Sequence, residues 1–411
     1  MELPGFLTDP AFWRYASIPL VAALVGWFTN WIAIQLTFYP VRFIGIPPWL
    51  GWQGIIPRKA EKMASISVDS TLARLSSMSD VLEQVEPEVI TRHVVRSIEP
   101  WVEWYTKDVL FELYPRLWKL IPEPVKQRIY QQVKDNLNRV VDALMEDMRA
   151  DIEELFDLKQ MVIDKLAQDR RLLNRIFLEC GEKEFRFIIN SGLLFGFLFG
   201  LIQMAVWAVY PASWILPAFG TLVGVATNWI ALTIIFRPVN PIRVGPWTVQ
   251  GLFLKRQHEA AAAWCRIVTE EVITIENIVD AMLNGPRSAN VRQLVSRHVL
   301  TLVDEAAGSA QLAFEVAVGE RKLEAMRRAV QSRAIAVSRG AFTDRAFNAE
   351  RQKIVEQMLY DRMITMSPGE FQDMLRPAFQ EDEAKLVAAG GVLGLLAGAA
   401  QLVFVFAQYT L

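Results

Sequence analysis

Polar residues recur at matched places in stretches of the chain that are otherwise apolar: Thr29 and Asn30, Thr227 and Asn228, Gln203 and Gln401, with Gln35 unmatched. A side-chain amide in hydrocarbon has no water to bond, so each must face a protein partner or a wet cavity rather than lipid. Two chemistries are open to them. As interhelical glue, each contributes about 1 kcal/mol. As a path, the Asn pair would line an uncharged route for a substrate or ion near an axis relating two halves of the molecule. No Asp, Glu, Lys, Arg or His interrupts these stretches, which argues against a proton-coupled pump.

Other reactive constellations are missing from the pattern. His93, His258 and His298 have no HExxH or related metal spacing, and Arg92-His93-Val94 resembles Arg297-His298-Val299, which suggests a repeated structural position. Cys180 and Cys265 lie far apart, so neither a disulfide framework nor a thiolate metal site is indicated. There is no P-loop, no GxGxxG at a strand-to-helix turn and no GxSxG elbow. The expectation is a protein that is not an enzyme, with no catalytic residue, metal or cofactor. With 43 basic and 45 acidic residues, the chain is nearly neutral and does not read as a nucleic-acid binder.

The elements that position the polar residues follow from the charge pattern. Uncharged runs of 27 residues after Arg14, 50 after Arg186 and 26 after Lys385 break an otherwise charged chain. A spanning helix needs about 20 residues at about 1.5 Å rise, so the middle run should fold back on itself. Its turn is at Tyr210-Pro211-Ala212-Ser213. The spans are predicted at 16–39, 187–210, 213–236 and 386–409, after an N-terminal tail at 1–15. The first span is expected to persist rather than be cleaved as a signal peptide, because Glu2 and Asp9 precede Arg14 where a basic start would be needed. Basic residues near the span ends, among them Arg42, Arg58, Lys62, Lys183, Arg237 and Lys385, lie on the side of the long inserts, with Arg14 alone opposite. Both inserts are therefore expected in the cytoplasm and both termini outside.

Self-comparison then divides the chain in two. GWFTNWIAIQLTFYP from Gly26 to Pro40 returns as GVATNWIALTIIFRP from Gly224 to Pro238, an offset of 198, and GFLFGLIQ at Gly196 matches GLLAGAAQ at Gly394 with the same offset. This is the mark of a tandem duplication. The expected fold is an all-α polytopic membrane protein of two tandem parallel repeats, about 16–210 and 213–409. Each repeat places a large helical domain, 40–186 or 237–385, between its two spans. Gly192, Gly196 and Gly200, like Gly390, Gly394 and Gly398, fall every four residues and put a glycine stripe on the second and fourth spans. Such a stripe reads as a packing seam, with a hinge or lipid groove as the alternative. The loops after the first and third spans are uncharged and carry Trp49 and Trp52, and Trp247. They read as interfacial anchors, with Arg58, Lys59, Lys255 and Arg256 just beyond to meet anionic headgroups, or else as packed turns.

Within the inserts the period is helical. From Val125 the apolar positions Ile129, Val133, Leu137, Val140, Val141, Leu144, Met145 and Met148 recur at three and four. Pro122 and Pro124 punctuate the start, and Ser367-Pro368-Gly369-Glu370 is a capping box from which a helix should run toward the last span. No convincing set of alternating strands is present.

The repeated GxxTNWIAxxxxFxP followed by PW, QG and a basic pair, with a glycine-stripe last span after PAFQEDE at Pro377 to Glu383, resembles the bacterial membrane family called domain of unknown function 445. The positions that match are Gly26, Thr29, Asn30, Trp31, Pro40, Gln53 and Gly54. The resemblance covers nearly the whole chain and implies a protein of the bacterial cytoplasmic membrane, with no activity to carry over. Two functions are consistent with the residues. One is a membrane scaffold or lipid-associated protein whose paired cytoplasmic domains bind membrane lipids, a protein partner or a second copy. The other is a carrier or conduit for lipid or another hydrophobic molecule, its cavity between the two units and the aromatic loops at its entrance.

Overall fold

The computed structural model describes residues 10–46, 50–65, 68, 83–84, 86–113, 115–307, 320–376 and 383–406. Trp49 and the PAFQED stretch lie outside them. The chain divides into two compact units. One collects Met1–Thr71, Lys165–Trp264 and Tyr360–Leu411, and the other Leu72–Asp164 and Cys265–Leu359. The distal parts of the two inserts thus share one unit.

The first unit is built on four helices long and apolar enough to cross a membrane: α1 (Pro10–Phe38), α7 (Glu182–Val209), α8 (Ile215–Phe236) and α15 (Glu383–Val405). Helices α1 and α7 extend beyond the uncharged runs, since Arg14, Glu182, Lys183, Glu184 and Arg186 continue the helix. Charged residues end a hydrocarbon span but not a helix, because their side chains can reach the polar interface. Leu24, Leu194, Trp229, Leu396 and Phe404 are exposed along these helices, a surface suited to lipid.

Helix α1 packs along α7 and α8 along α15, with further contacts between α7 and α8 and between α1 and both α8 and α15. Backbones approach closely at the glycines. A Cβ at Gly192 or Gly196 would fall inside the van der Waals envelope of the Gly26 or Ala22 carbonyl oxygen, and one at Gly200 would meet the Pro19 backbone. On the other pair, Gly390, Gly394 and Gly398 lie in the same way against the carbonyls of Gly224, Gly220 and Leu216. With no side chain on the glycine face, van der Waals contact between the backbones holds each pair.

After α1 and α8 come two short hairpins that the period of the sequence does not predict. β1 (Ile44–Ile46) pairs with β2 (Leu50–Trp52), and β3 (Ile242–Val244) with β4 (Trp247–Val249), both antiparallel. The second turns at Gly245 with φ +62°, a left-handed conformation that glycine adopts without strain. Peptide bonds Tyr39–Pro40 and Arg237–Pro238, where the spans end, are cis. Membrane-proximal helices α6 (Arg170–Cys180) and α14 (Pro368–Leu375) precede α7 and α15. The capping box is formed at α14, Ser367 Oγ accepting from Glu370 N and Glu370 Oε2 from Ser367 N. The helix ends at Leu375, and residues 377–382 are outside the described set.

The second unit is helical in its described residues. It holds α2 (Pro87–Ile98), α3 (Val102–Leu113), α4 (Glu123–Ala150), α10 (Ile275–Asn284), α11 (Ser288–Ala307) and α12 (Glu320–Ala341). Helices α5 (Leu158–Gln168), α9 (Gln257–Ile267) and α13 (Arg345–Thr365) run across the boundary between the units. Helix α4 packs on α11, and α12 on α2, α3 and α11, so each insert covers the apolar face of the other. Of the predicted stripe of α4, Leu137, Val140, Val141 and Met145 are buried, joined by Tyr130, while Ile129, Val133, Leu144 and Met148 are half-buried and Val125 is exposed. His298 Nε2 lies 2.8 Å from Asp147 Oδ2, and His93 stacks on Phe347 with its Nε2 2.9 Å from the Ala341 carbonyl.

Candidate functional site

Of the intramembrane amides, Asn30, Asn228, Gln203 and Gln401 are buried, while Gln35 is half-buried and Asn190 exposed. Asn30 Nδ2 donates to the Ile188 carbonyl of α7 at 2.6 Å, and Asn228 Nδ2 to the Leu386 carbonyl of α15 at 2.9 Å. Each asparagine is committed to the helix paired with its own. The glycine stripe explains the choice, since Gly192 and Gly390 let the amide approach the partner backbone. Thr29 and Thr227 hydroxyls turn back to the Gly26 and Gly224 carbonyls of their own helices at 3.1 and 3.4 Å. Oδ1 of both asparagines and Nε2 of Gln401 remain buried without a hydrogen-bond partner. Gln203 is also buried.

A second set of amides ties loops to span ends. Gln53 Nε2 donates to the Val41 carbonyl at 2.9 Å and Gln250 Nε2 to the Val239 carbonyl at 3.1 Å. The glycine after each glutamine bonds the proline that follows the span, Gly54 N to Pro40 O at 2.9 Å and Gly251 N to Pro238 O at 3.0 Å. A Cβ at Gly54 would stand 2.7 Å from the Phe38 carbonyl carbon, so only glycine fits. The QG motif therefore closes the loop onto the span. Sequence reasoning missed the next pair: Asn174 of α6 donates to the Phe38 carbonyl at 2.5 Å. With both amide groups satisfied, Gln372 of α14 donates to the Phe236 carbonyl at 2.9 Å and accepts from Arg376 at 2.8 Å. Their common offset of 198 was the available signal.

The loop residues are placed unequally. Trp52 and Trp247 are exposed on their hairpins with Ile44, Ile46 and Leu50, and the Trp52 indole donates to the Leu36 carbonyl at 3.3 Å. Arg58 and Lys255 are exposed and Lys59 is half-buried. Arg256 is held by Glu184, 2.6 Å away and 4% exposed, and by Glu259 at 2.8 Å, which also receives Lys183 at 2.6 Å. Burial alone would lower the Arg256 pKa; bonds to Glu259 and Glu184 outweigh it and raise it. Bonds from Lys183 and Arg256 hold Glu259 down at about 2.

A cavity of about 360 Å³ lies in the second unit. Val141, Leu144, Met145 and Met148 of α4 face Ile278, Val279 and Met282 of α10 across it, with Val291 and Val295 of α11 and Ile90 and Val94 of α2. The apolar stripe of α4 therefore borders open space as well as core. Helix α13 supplies the polar wall, through Arg345, Asn348, Arg351 and Gln352. Arg351 is almost wholly buried and paired with Glu86 at 2.8 Å and Glu350 at 2.7 Å; these bonds raise its pKa against the lowering effect of burial. Trp49 is outside the described residues, and Trp52 and Trp247 are not in the lining.

Comparison with known proteins points to membrane proteins throughout. The chain is 22% identical to a UPF0754 membrane protein of Nostoc sp., over 96% of this chain and 97% of that one. It is 20% identical to a UPF0754 membrane protein of Synechococcus sp. over 96% and 99%, and 30% identical to one from Staphylococcus epidermidis over 21% and 24%. No family model matches, and no solved structure shows a significant match. The chain is thus a helical membrane protein with four candidate spans, similar to bacterial proteins of that description. The membrane part of the family expectation is shown, while the narrower likeness to domain of unknown function 445 remains a resemblance.

Proposed function

We propose that the chain is a non-enzymatic, lipid-associated protein of the bacterial cytoplasmic membrane. In this reading it is two tandem parallel repeats, whose spans form a static anchor and whose cytoplasmic inserts combine into a binding unit for a hydrophobic molecule. The observation that carries it is the apolar cavity of about 360 Å³ lined by both inserts. Its volume falls within the range of roughly 300–1,000 Å³ typical of small-molecule sites. The repeat is supported by paired hydrogen bonds at one offset, Asn30 to Ile188 with Asn228 to Leu386, and Asn174 to Phe38 with Gln372 to Phe236. The anchor reading is supported by the glycine seams and by amides that bond neighbouring backbone. Orientation rests on the basic residues at the span ends.

Mass spectrometry of the purified protein tests this. Stoichiometric lipid should co-purify and should be lost in Leu144→Glu, which puts a charge into the cavity wall. Protein free of lipid, or lipid retained equally in the variant, would refute the binding unit. The scaffold reading keeps a specific observation of its own, the exposed Trp101, Trp104, Phe111 and Leu120 on the first insert. A protein recovered in stoichiometric amount from native membranes by the wild type, and lost in Trp101→Ala/Trp104→Ala, would favour it.

A further inference from the structure

The cavity of the second unit is asymmetric, and the asymmetry specifies a ligand. Arg345, Asn348, Ala349, Gln352 and Val355 line it from α13. Spacings of three and four put them on one face of that helix, with adjacent side chains about 5–6 Å apart. The polar residues Arg345, Asn348 and Gln352 form a row there, opposite walls of α4 and α10 that are almost wholly apolar. Two members of the row have unmet bonding capacity. Arg345 is exposed at the rim and makes no ion pair or hydrogen bond among the described residues. Asn348 donates to the Phe342 carbonyl at 2.8 Å, while its Oδ1 is buried with no partner. Arg351, the other cation of the lining, is held by Glu86 and Glu350. Glu276 is the one acidic residue of the lining, and its charge would repel an anion set beside it.

We propose that this cavity binds a single-chain acidic amphiphile, its hydrocarbon chain among the valine, leucine, isoleucine and methionine side chains of α4, α10 and α11 and its anionic head on Arg345. A carboxylate or a phosphate monoester would satisfy the guanidinium with charge-assisted hydrogen bonds. A neutral or cationic head would leave the guanidinium unpaired. The proposal rests on the reading of the second unit as a lipid-binding unit and adds the charge of the head.

The test uses the full-length protein in phosphatidylcholine nanodiscs and a dansyl-labelled undecanoic acid as fluorescent probe. Dodecanoate, dodecyl phosphate, dodecanol and dodecyltrimethylammonium compete for it, which separates a carboxylate head from a phosphate head and both from uncharged and cationic ones. One or both anions should compete about tenfold better than dodecanol, the size of one charge-assisted hydrogen bond. Arg345→Gln should abolish that preference without changing competition by dodecanol, and Arg345→Lys should restore most of it. If Arg345→Gln leaves the preference intact, or if the trimethylammonium competes best, the assignment of the head is wrong while the lipid-binding reading stands. Leu144→Trp fills the apolar wall and should abolish probe binding. A Leu144→Trp protein that keeps its thermal transition and still binds the probe like the wild type would refute the lipid-binding reading itself, and this inference with it.

Discussion

Asn30 and Asn228 occupy one chemical situation twice: an amide whose nitrogen bonds a backbone carbonyl of the paired helix and whose oxygen is buried without a partner. Replacing either by leucine removes one hydrogen bond and also one unsatisfied acceptor, so the cost should be small, about 1 kcal/mol. Because the bonds belong to different helix pairs, the double variant should cost the sum of the singles. A thermal-stability cycle on the three purified variants checks this, and partial recovery in the double variant would show that the amides interact after all. Glu259 carries a prediction of another kind. Its folded pKa of about 2 lies below the ordinary value of 4.5. The stability it contributes is fully present above about 4.5 and lost as pH falls through about 2. Melting temperature should therefore decline with acid across that window, and Glu259→Gln should flatten part of the decline. An unchanged slope would mean that the Lys183–Glu259–Arg256 cluster does not matter to folding.

At the scale of elements, glycine separates a seam from a free surface. Gly192→Ala puts a methyl group against the Gly26 carbonyl of α1, and overpacking of this kind costs roughly 1–3 kcal/mol. Gly340 lies near the end of α12 with nothing within 4 Å of a built Cβ. Gly340→Ala should be neutral or stabilising by up to about 1 kcal/mol, because alanine loses less conformational entropy in a helix. Thermal unfolding of the two variants in the same detergent gives the comparison; equal effects would show that the α1–α7 seam can relax. The hairpins illustrate a different limit. Three-residue strands, two of them with glycine at the centre, carry too few positions for an alternating pattern to register, so β1 to β4 were not predictable from periodicity.

For the whole molecule, topology is the open quantity that one experiment can fix. Reporter fusions at Asn138 and Asn348 should behave as cytoplasmic and one at Ala212 as external, following the basic residues near the span ends. A periplasmic signal at Asn138 would reverse the orientation and leave the four spans intact. The spans were legible in the sequence because exclusion of charge from hydrocarbon acts on each segment separately, so a run of uncharged residues suffices to mark one. The offset of 198 was legible because self-comparison needs no contacts. So was the amphipathic face of α4, which records that Val141, Leu144 and Met145 avoid water. The same face could not record what they meet instead. A filled core and an open cavity impose one pattern on the helix that borders them, and the difference lies in α10, α11 and α13, more than a hundred residues away in the chain. Likewise the asparagines announced that they need partners, but Ile188 and Leu386 lie 158 residues further on, and only the close approach allowed by the glycine seams brought those carbonyls within reach.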